Sequence, residues 1–560
     1  MACRRKRTAV SDLPDNCWDL VLTELMNKCD DKEERNHYLE TLSLVSKQLL
    51  SITNQFVYSF KLISNPSSSP ISRLFNRFPN LTSLDLSAFR QGGDLNALLS
   101  RIPPRSFSNI TSLNLSNHPT FPTLGLRSII IPNNNRLTSL ICSNIASLKF
   151  TDITFIADSF PFLQHLDLSF PGGGGVSDGR DYDNAMNLLA QKLSKLRSVH
   201  LSGNFYIDNS SFLQLCINCE FLQEVLISRC PFITHAGIAE AIHHRPTLNS
   251  LSVTNFKEGL ELENVDSYFI DSLTCLKHLT CLDFSFSCIT DLMFKAIALE
   301  ALPLTKLVLQ DSYNYTYSGI SYLLSNCPSL QHLDLQGANF LNDQLFNQLC
   351  AFLPDIRMES TDIGLGPTPS VVVDLVVYPQ LKSLHLAYNS HLQDNLINIF
   401  AFIFPNMQLI DFSFCPHVFQ HRIALLLKKC PKIAHLKFAG FPHAKLSSIN
   451  FEASNRMEVL NLSHSRIDDE GLYQISKICP QLMQLDLEHC YYVTEKGVRL
   501  AIENCTRLRE INLQHCRKVS TDIVSWMIFS RPSLRKITAP PHFRPRDCDR
   551  KLLFERCLVF

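Results

Sequence analysis

The sequence predicts an α/β repeat solenoid, a horseshoe with parallel strands inside and helices outside, headed by a short all-α segment. Three observations predict it. An L-x-x-L-x-L pattern recurs along most of the chain, as at Leu81, Leu84 and Leu86, at Leu330, Leu333 and Leu335, and at Leu482, Leu485 and Leu487. The copies keep register: eighteen begin between Leu81 and Leu534, and from Leu279 onward the steps are 25, 26, 26, 25, 26, 26, 24, 25, 26 and 26 residues. Residues 11–62 fall outside this register and carry apolar residues at helical spacing instead. The copy at Ile356 is placed by spacing alone, because Glu359 and Thr361 replace its next two apolar residues.

Each repeat follows from elementary geometry. In L-x-L the two leucines point to one side of a short strand and the residue between them to the other. A helix follows, as over Val498 to Ile502, with Thr494 as its N-cap and Thr234 and Thr290 as equivalent caps. One unit cannot bury its own apolar side, so units must stack. At 560 residues, such an array is a natural alternative to several separate cores. Formal net charge is zero, so no global field draws the chain to nucleic acid or to a membrane surface. No run of 18 apolar residues exists, and Met1 to Val10 is basic without the apolar stretch of a signal peptide. Nine of the twenty cysteines recur at two fixed repeat positions. Cys219, Cys327, Cys430, Cys479 and Cys505 precede a marker by three, and Cys230, Cys415, Cys490 and Cys516 follow one by eight. They read as small buried hydrophobes in a reducing compartment, nucleus or cytoplasm.

In the head, Leu13 and Pro14 open a helix in which Trp18, Leu22 and Leu25 share a face, with Val21 beside them. A charged stretch, Asp30 to Arg35, interrupts. Leu39, Leu42, Leu44, Val45, Ser46, Lys47, Leu49 and Leu50 then form a second apolar run. A polar linker spans 63–77, the solenoid 78–540 and a tail 541–560.

The unit from Leu482 to Cys505 is similar to the cysteine-containing leucine-rich repeat, and the Leu13-Pro14 start with Val45-Ser46-Lys47 resembles an F-box. The head is assigned to residues 8–62. An F-box ahead of this repeat subclass is a known architecture, found in plants. The resemblance implies a non-catalytic substrate receptor of an SCF-type ubiquitin ligase. The F-box would bind a Skp1-like adaptor, and through it a cullin and RING subunit, with Leu13, Pro14, Trp18, Val21, Leu22, Leu25, Leu44, Val45, Ser46 and Lys47. A protein substrate would lie on the concave face. The alternatives are a small-molecule hormone receptor of the same architecture and a plain interaction scaffold. Cys29 to Tyr38 is longer and more charged than the usual F-box connection.

Catalytic chemistry is not expected. Asp85, Asp167, Asp283, Asp334, Asp411 and Asp486 recur between the inward leucines, which marks a repeat feature and not an acid–base pair. Cys216 and Cys219 lack a second pair for zinc, His243 and His244 lack companion ligands, and Gly172 to Gly175 lacks the lysine of a phosphate loop. No metal and no cofactor is expected, and neither nucleic acid nor membrane as partner. The positions that break the aspartate ladder, His200, Leu226, Val308, His385 and Lys437, are the candidate substrate contacts. Two longer steps, containing 171–183 and 256–266, are candidate specificity loops. Arg4 to Arg7 is a candidate nuclear-localisation cluster.

Overall fold

A computed structural model of the chain describes residues 14–28, 32–62, 72–89, 94–130, 136–172, 179–254, 267–338, 340–341, 376–392, 394–441, 456–544 and 558–559. The chain divides into two compact units, Met1–Leu248 and Asn249–Phe560.

The first unit begins with helices Asp15–Lys28, Lys32–Ser43 and Lys47–Thr53. Leu22, Leu39, Leu49 and Ile52 form their shared core, each no more than 5% exposed. Of the charged stretch, Lys32 to Arg35 open the second helix, and Asp30 and Asp31 lie outside the described residues. The second apolar run is broken at Leu44 and Val45. There Ser46 is extended, and its hydroxyl accepts from the Leu49 amide. A serine at this point satisfies an orphan donor of a new helix better than it continues the old one.

Seven parallel strands follow in this unit: Ser59–Lys61, Ser83–Asp85, Ser112–Asn114, Ser139–Ile141, His165–Asp167, Ser198–His200 and Glu224–Ser228. The first lies inside the segment expected to be head. Ser59 pairs with Ser83, one repeat length away, so the strand ladder starts one unit before the first L-x-x-L-x-L copy.

Among the described residues, the second unit holds twelve parallel strands. They are Ser250–Thr254, Cys281–Asp283, Lys306–Val308, His332–Asp334, Ser383–His385, Leu409–Asp411, His435–Lys437, Val459–Asn461, Gln484–Asp486, Glu510–Asn512, Lys536–Thr538 and Leu558–Val559. The copy expected at Ile356 is not among them. His332 pairs directly with Ser383, and the Leu335 amide donates to the His385 carbonyl, so no strand intervenes. Ile356 itself lies outside the described residues. At the far end, Leu558 pairs with Lys536, so the tail contributes a strand.

The strands recur with their middle residue buried and its neighbours half-exposed. Each buried leucine or isoleucine contributes about 1.5–3 kcal/mol. The helices stop where the sequence places cysteine: Cys219, Cys327, Cys430, Cys479 and Cys505 are C-caps, and all are buried. All fifteen described cysteines are thiols. They do more than fill space. Sγ of Cys230, Cys415, Cys490 and Cys516 donates to the carbonyl of Leu201, Leu386, Leu462 and Leu487, one repeat back, at 2.9–3.2 Å.

Helix N-termini are linked in the same direction. Asp469 accepts from the Thr494 amide and hydroxyl at 2.8 and 2.5 Å, while Thr494 caps its own helix by accepting from Lys496. Thr234 caps by accepting from Gly237. Thr290 sits at the cap position without a side-chain cap bond. At Gly497 an added Cβ would come within 2.3 Å of Asp469 Oδ1, so only glycine permits this close approach.

Candidate functional site

The residues between the inward leucines form continuous rows. In the first unit Asp85, Asn114, Ile141, Asp167, His200 and Leu226 are successive register partners. In the second the row runs Asp283, Val308, Asp334, His385, Asp411, Lys437, Asn461, Asp486 and Asn512. The acidic members are tied to their own chain. Oδ1 of Asp85, Asp167, Asp283, Asp411 and Asp486 accepts from the amide two residues on, at 2.8–3.0 Å. Asn114, Asn461 and Asn512 accept in the same way. This is an Asx turn that ends each strand, and it explains the ladder without catalysis.

The five candidate contacts fall into two groups. His200 and Leu226 are direct register partners in the first unit. His200 Nδ1 lies 3.9 Å from Asp167 Oδ2. Val308, His385 and Lys437 share the row of the second unit, and the latter two flank Asp411. His385 Nδ1 and Lys437 Nζ each lie 3.7 Å from Asp411 Oδ2. Burial alone would raise the Asp411 carboxyl. The hydrogen bond from the Ser413 amide, the adjacent His385 and the Lys437 charge outweigh it and hold the group below the usual carboxylate range. Asp334, with weaker support against the same burial, is raised instead.

The second unit's strand face carries a hollow of about 900 Å³. Sequence reasoning identified His385 in it but missed most of its polar lining: Lys306, His332, Lys382, Lys432, His435 and Glu458. Lys306, His332 and His435 lie on the row two residues before the aspartates, and strand alternation points both rows the same way. That periodicity was the available signal. The lining holds three lysines against Asp283, Asp334 and Glu458, so at neutral pH its charges balance. Burial, then Lys306 and Lys382, hold His332 below its ordinary pKa. The hollow suits a partner with groups of both signs better than a dense polyanion.

The helical head offers a different surface. Leu20, Val21, Leu44 and Val45 are 69%, 50%, 78% and 67% exposed. Pro14, Ser46 and Lys47 are exposed too, and Trp18 and Leu25 half-buried. Leu22 requires correction: it is 0% exposed, so it belongs to the head's core and is closed to a partner. Leu20 was missed because it lies off the stripe formed by Trp18, Leu22 and Leu25. Leu13, Arg4 to Arg7, residues 256–266 and residues 173–178 of the 171–183 step lie outside the described residues.

The remaining motifs take structural roles. Burial raises both thiols of the Cys216–Cys219 pair, and Arg245 Nε donates to the Cys216 carbonyl at 2.6 Å. His243 and His244 stand exposed at the end of the helix His235–His243. No described helix is long and apolar enough to cross a membrane.

A family model described as "Leucine Rich repeat" matches residues 275–292 and 454–476. Coronatine-insensitive protein homolog 2 of Oryza sativa, in both the indica and japonica subspecies, is 22% identical over 472 residues. The match covers 78% of this chain and 77% of the rice protein. Among solved structures, a chain of the yeast Rad7 and Elc1 complex is 16% identical. It covers 99% of this chain and 98% of its own, at a TM-score of 0.39. A chain of the TLR13–ssRNA13 complex is 18% identical, covering 86% and 64%, at 0.38. Strand register, buried leucines and the matched repeats together give this chain the fold of a leucine-rich-repeat solenoid.

Proposed function

We propose that the chain is the substrate-recognition subunit of an SCF-type ubiquitin ligase. The observation that carries this reading is the head: a small three-helix segment with its own buried core that still leaves Leu20, Val21, Leu44 and Val45 in water. Exposed aliphatic side chains on so small a segment mark a docking surface. The F-box resemblance, centred on Pro14 and Val45-Ser46-Lys47, makes a Skp1-like adaptor the occupant. The strand rows then hold a protein substrate, with His200, Leu226, Val308, His385 and Lys437 as contacts.

The mechanism is proximity. Holding substrate lysines beside a charged ubiquitin carrier raises their effective concentration, and this chain supplies no bond-making group. Affinity purification of the full chain is expected to recover a Skp1-type adaptor and a cullin. The Val21→Asp/Val45→Asp double variant is expected to lose both while keeping its melting temperature. Adaptor recovery undiminished by that variant would overturn the reading and favour an interaction scaffold.

A further inference from the structure

A column of rings runs along the strand exits of the second unit, three residues beyond the aspartate row. Tyr388, Phe414, Gly440, His464, His489 and His515 hold its successive positions, all with positive φ. Tyr388 stacks on Phe414 with ring centres 4.9 Å apart. His464 stacks on His489 at 4.3 Å, and His489 on His515 at 4.2 Å. The rest of the architecture does not require imidazoles here, since glycine fills the equivalent Gly203, Gly337 and Gly440 at lower backbone cost.

We propose that His464, Glu488 and His489 form a binding site for a divalent late transition metal, with Zn²⁺ the best fit. Each offers one ligand atom, and the three atoms lie within 4.8 Å of one another. His489 Nε2 is 3.7 Å from Glu488 Oε1. Two imidazoles and a carboxylate suit Zn²⁺, whose bonds of about 2.0–2.2 Å would bring these atoms to within about 3.4 Å of one another as the His464 and His489 rings turn out of their stack.

The supports around the triad point the same way. The Tyr491 hydroxyl lies 2.8 Å from His489 Nδ1. In the tautomer whose Nδ1–H donates to that oxygen, Nε2 keeps its lone pair for the metal. Asn512 Nδ2 donates to Glu488 Oε2 at 3.4 Å, leaving Oε1 for the shared ligand position. The backbone fixes the spacing, because the His464 amide donates to the Glu488 carbonyl at 2.7 Å and the His489 amide to the Gln514 carbonyl at 2.9 Å. Three protein ligands leave a fourth position for water or for a side chain of a bound partner. This site was invisible to motif spacing: His464 and His489 are 25 residues apart, and only the repeat brings them together.

The test is Zn²⁺ titration of the full, chelator-treated chain by calorimetry, with X-ray absorption of the loaded protein to read the ligand shell. One saturable site with a nitrogen and oxygen shell is expected. His489→Ala and Glu488→Gln should each remove it without changing the melting temperature of the metal-free chain. Tyr491→Phe should weaken it about tenfold or more. Absence of saturable uptake, a sulfur shell from the thiols, or wild-type affinity in His489→Ala would each overturn the site. None of these readouts depends on adaptor binding.

Discussion

The helical head and the strand face of the second unit contrast in how they meet solvent. The head presents uncharged aliphatic side chains that nothing in its own fold covers, among them Leu44 and Val45. The strand face presents polar groups already engaged at home, such as Asp411 between His385 and Lys437. Apolar burial gives affinity that is non-directional and scales with the area removed from water. Engaged polar rows give selectivity, because a partner must match their hydrogen bonds and signs or leave them unpaired. The proposed receptor, with one constant partner and one selected partner, would need this division.

Four experiments test the contrast. The largest effect belongs to the head. Val21→Asp/Val45→Asp is expected to weaken adaptor binding about 100-fold or more, while substrates still co-purify; loss of both partners together would mean the surfaces are not separable. Next is the scaffold under the polar face. Gly497→Ala pushes the new methyl into Asp469, loosens its bonds to Thr494 and is expected to cost about 1–3 kcal/mol in urea unfolding. Adaptor capture should persist. A smaller effect follows from truncating the candidate contacts: Lys437→Ala with His385→Ala should lower substrate capture by about 1–2 kcal/mol, measured against an unchanged adaptor signal. An unchanged substrate yield would remove these residues from the binding face.

The smallest effect is in acid. Asp411 has a lower pKa folded than unfolded, so its contribution to stability is complete above the ordinary carboxylate pKa and is lost as pH falls through the lowered one. Asp411→Asn should therefore flatten part of the acid limb of melting temperature against pH. An acid limb identical to that of the wild type would remove Asp411 as a contributor.

Much of the solenoid was legible because its leucines must be periodic to stack. The failures have physical causes. The copy at Ile356 was inferred from arithmetic, since Leu333 and Leu384 stand 51 residues apart, close to two repeat lengths. Pairing is decided by hydrogen bonds, and those join His332–Asp334 to Ser383–His385 directly. The strand Ser59–Lys61 was missed because Phe60 stands in for the expected leucine. In the head, the periodic stripe found the inner face, so Leu22 was taken for a contact while exposed Leu20 escaped notice. The lysines and histidines of the hollow escaped because one outward row was read and its neighbour was not.

The thiol-to-carbonyl bonds of Cys230, Cys415, Cys490 and Cys516 tie each of these loops to the repeat before it. Burial also raises these thiols, Cys230 and Cys490 to about 11 and Cys415 and Cys516 to about 12, so none reacts while its repeat stays closed. Their alkylation rates, mapped residue by residue, would therefore record the order in which the stack opens. The chain carries its own set of position-coded probes of unzipping, and no label has to be introduced to read them.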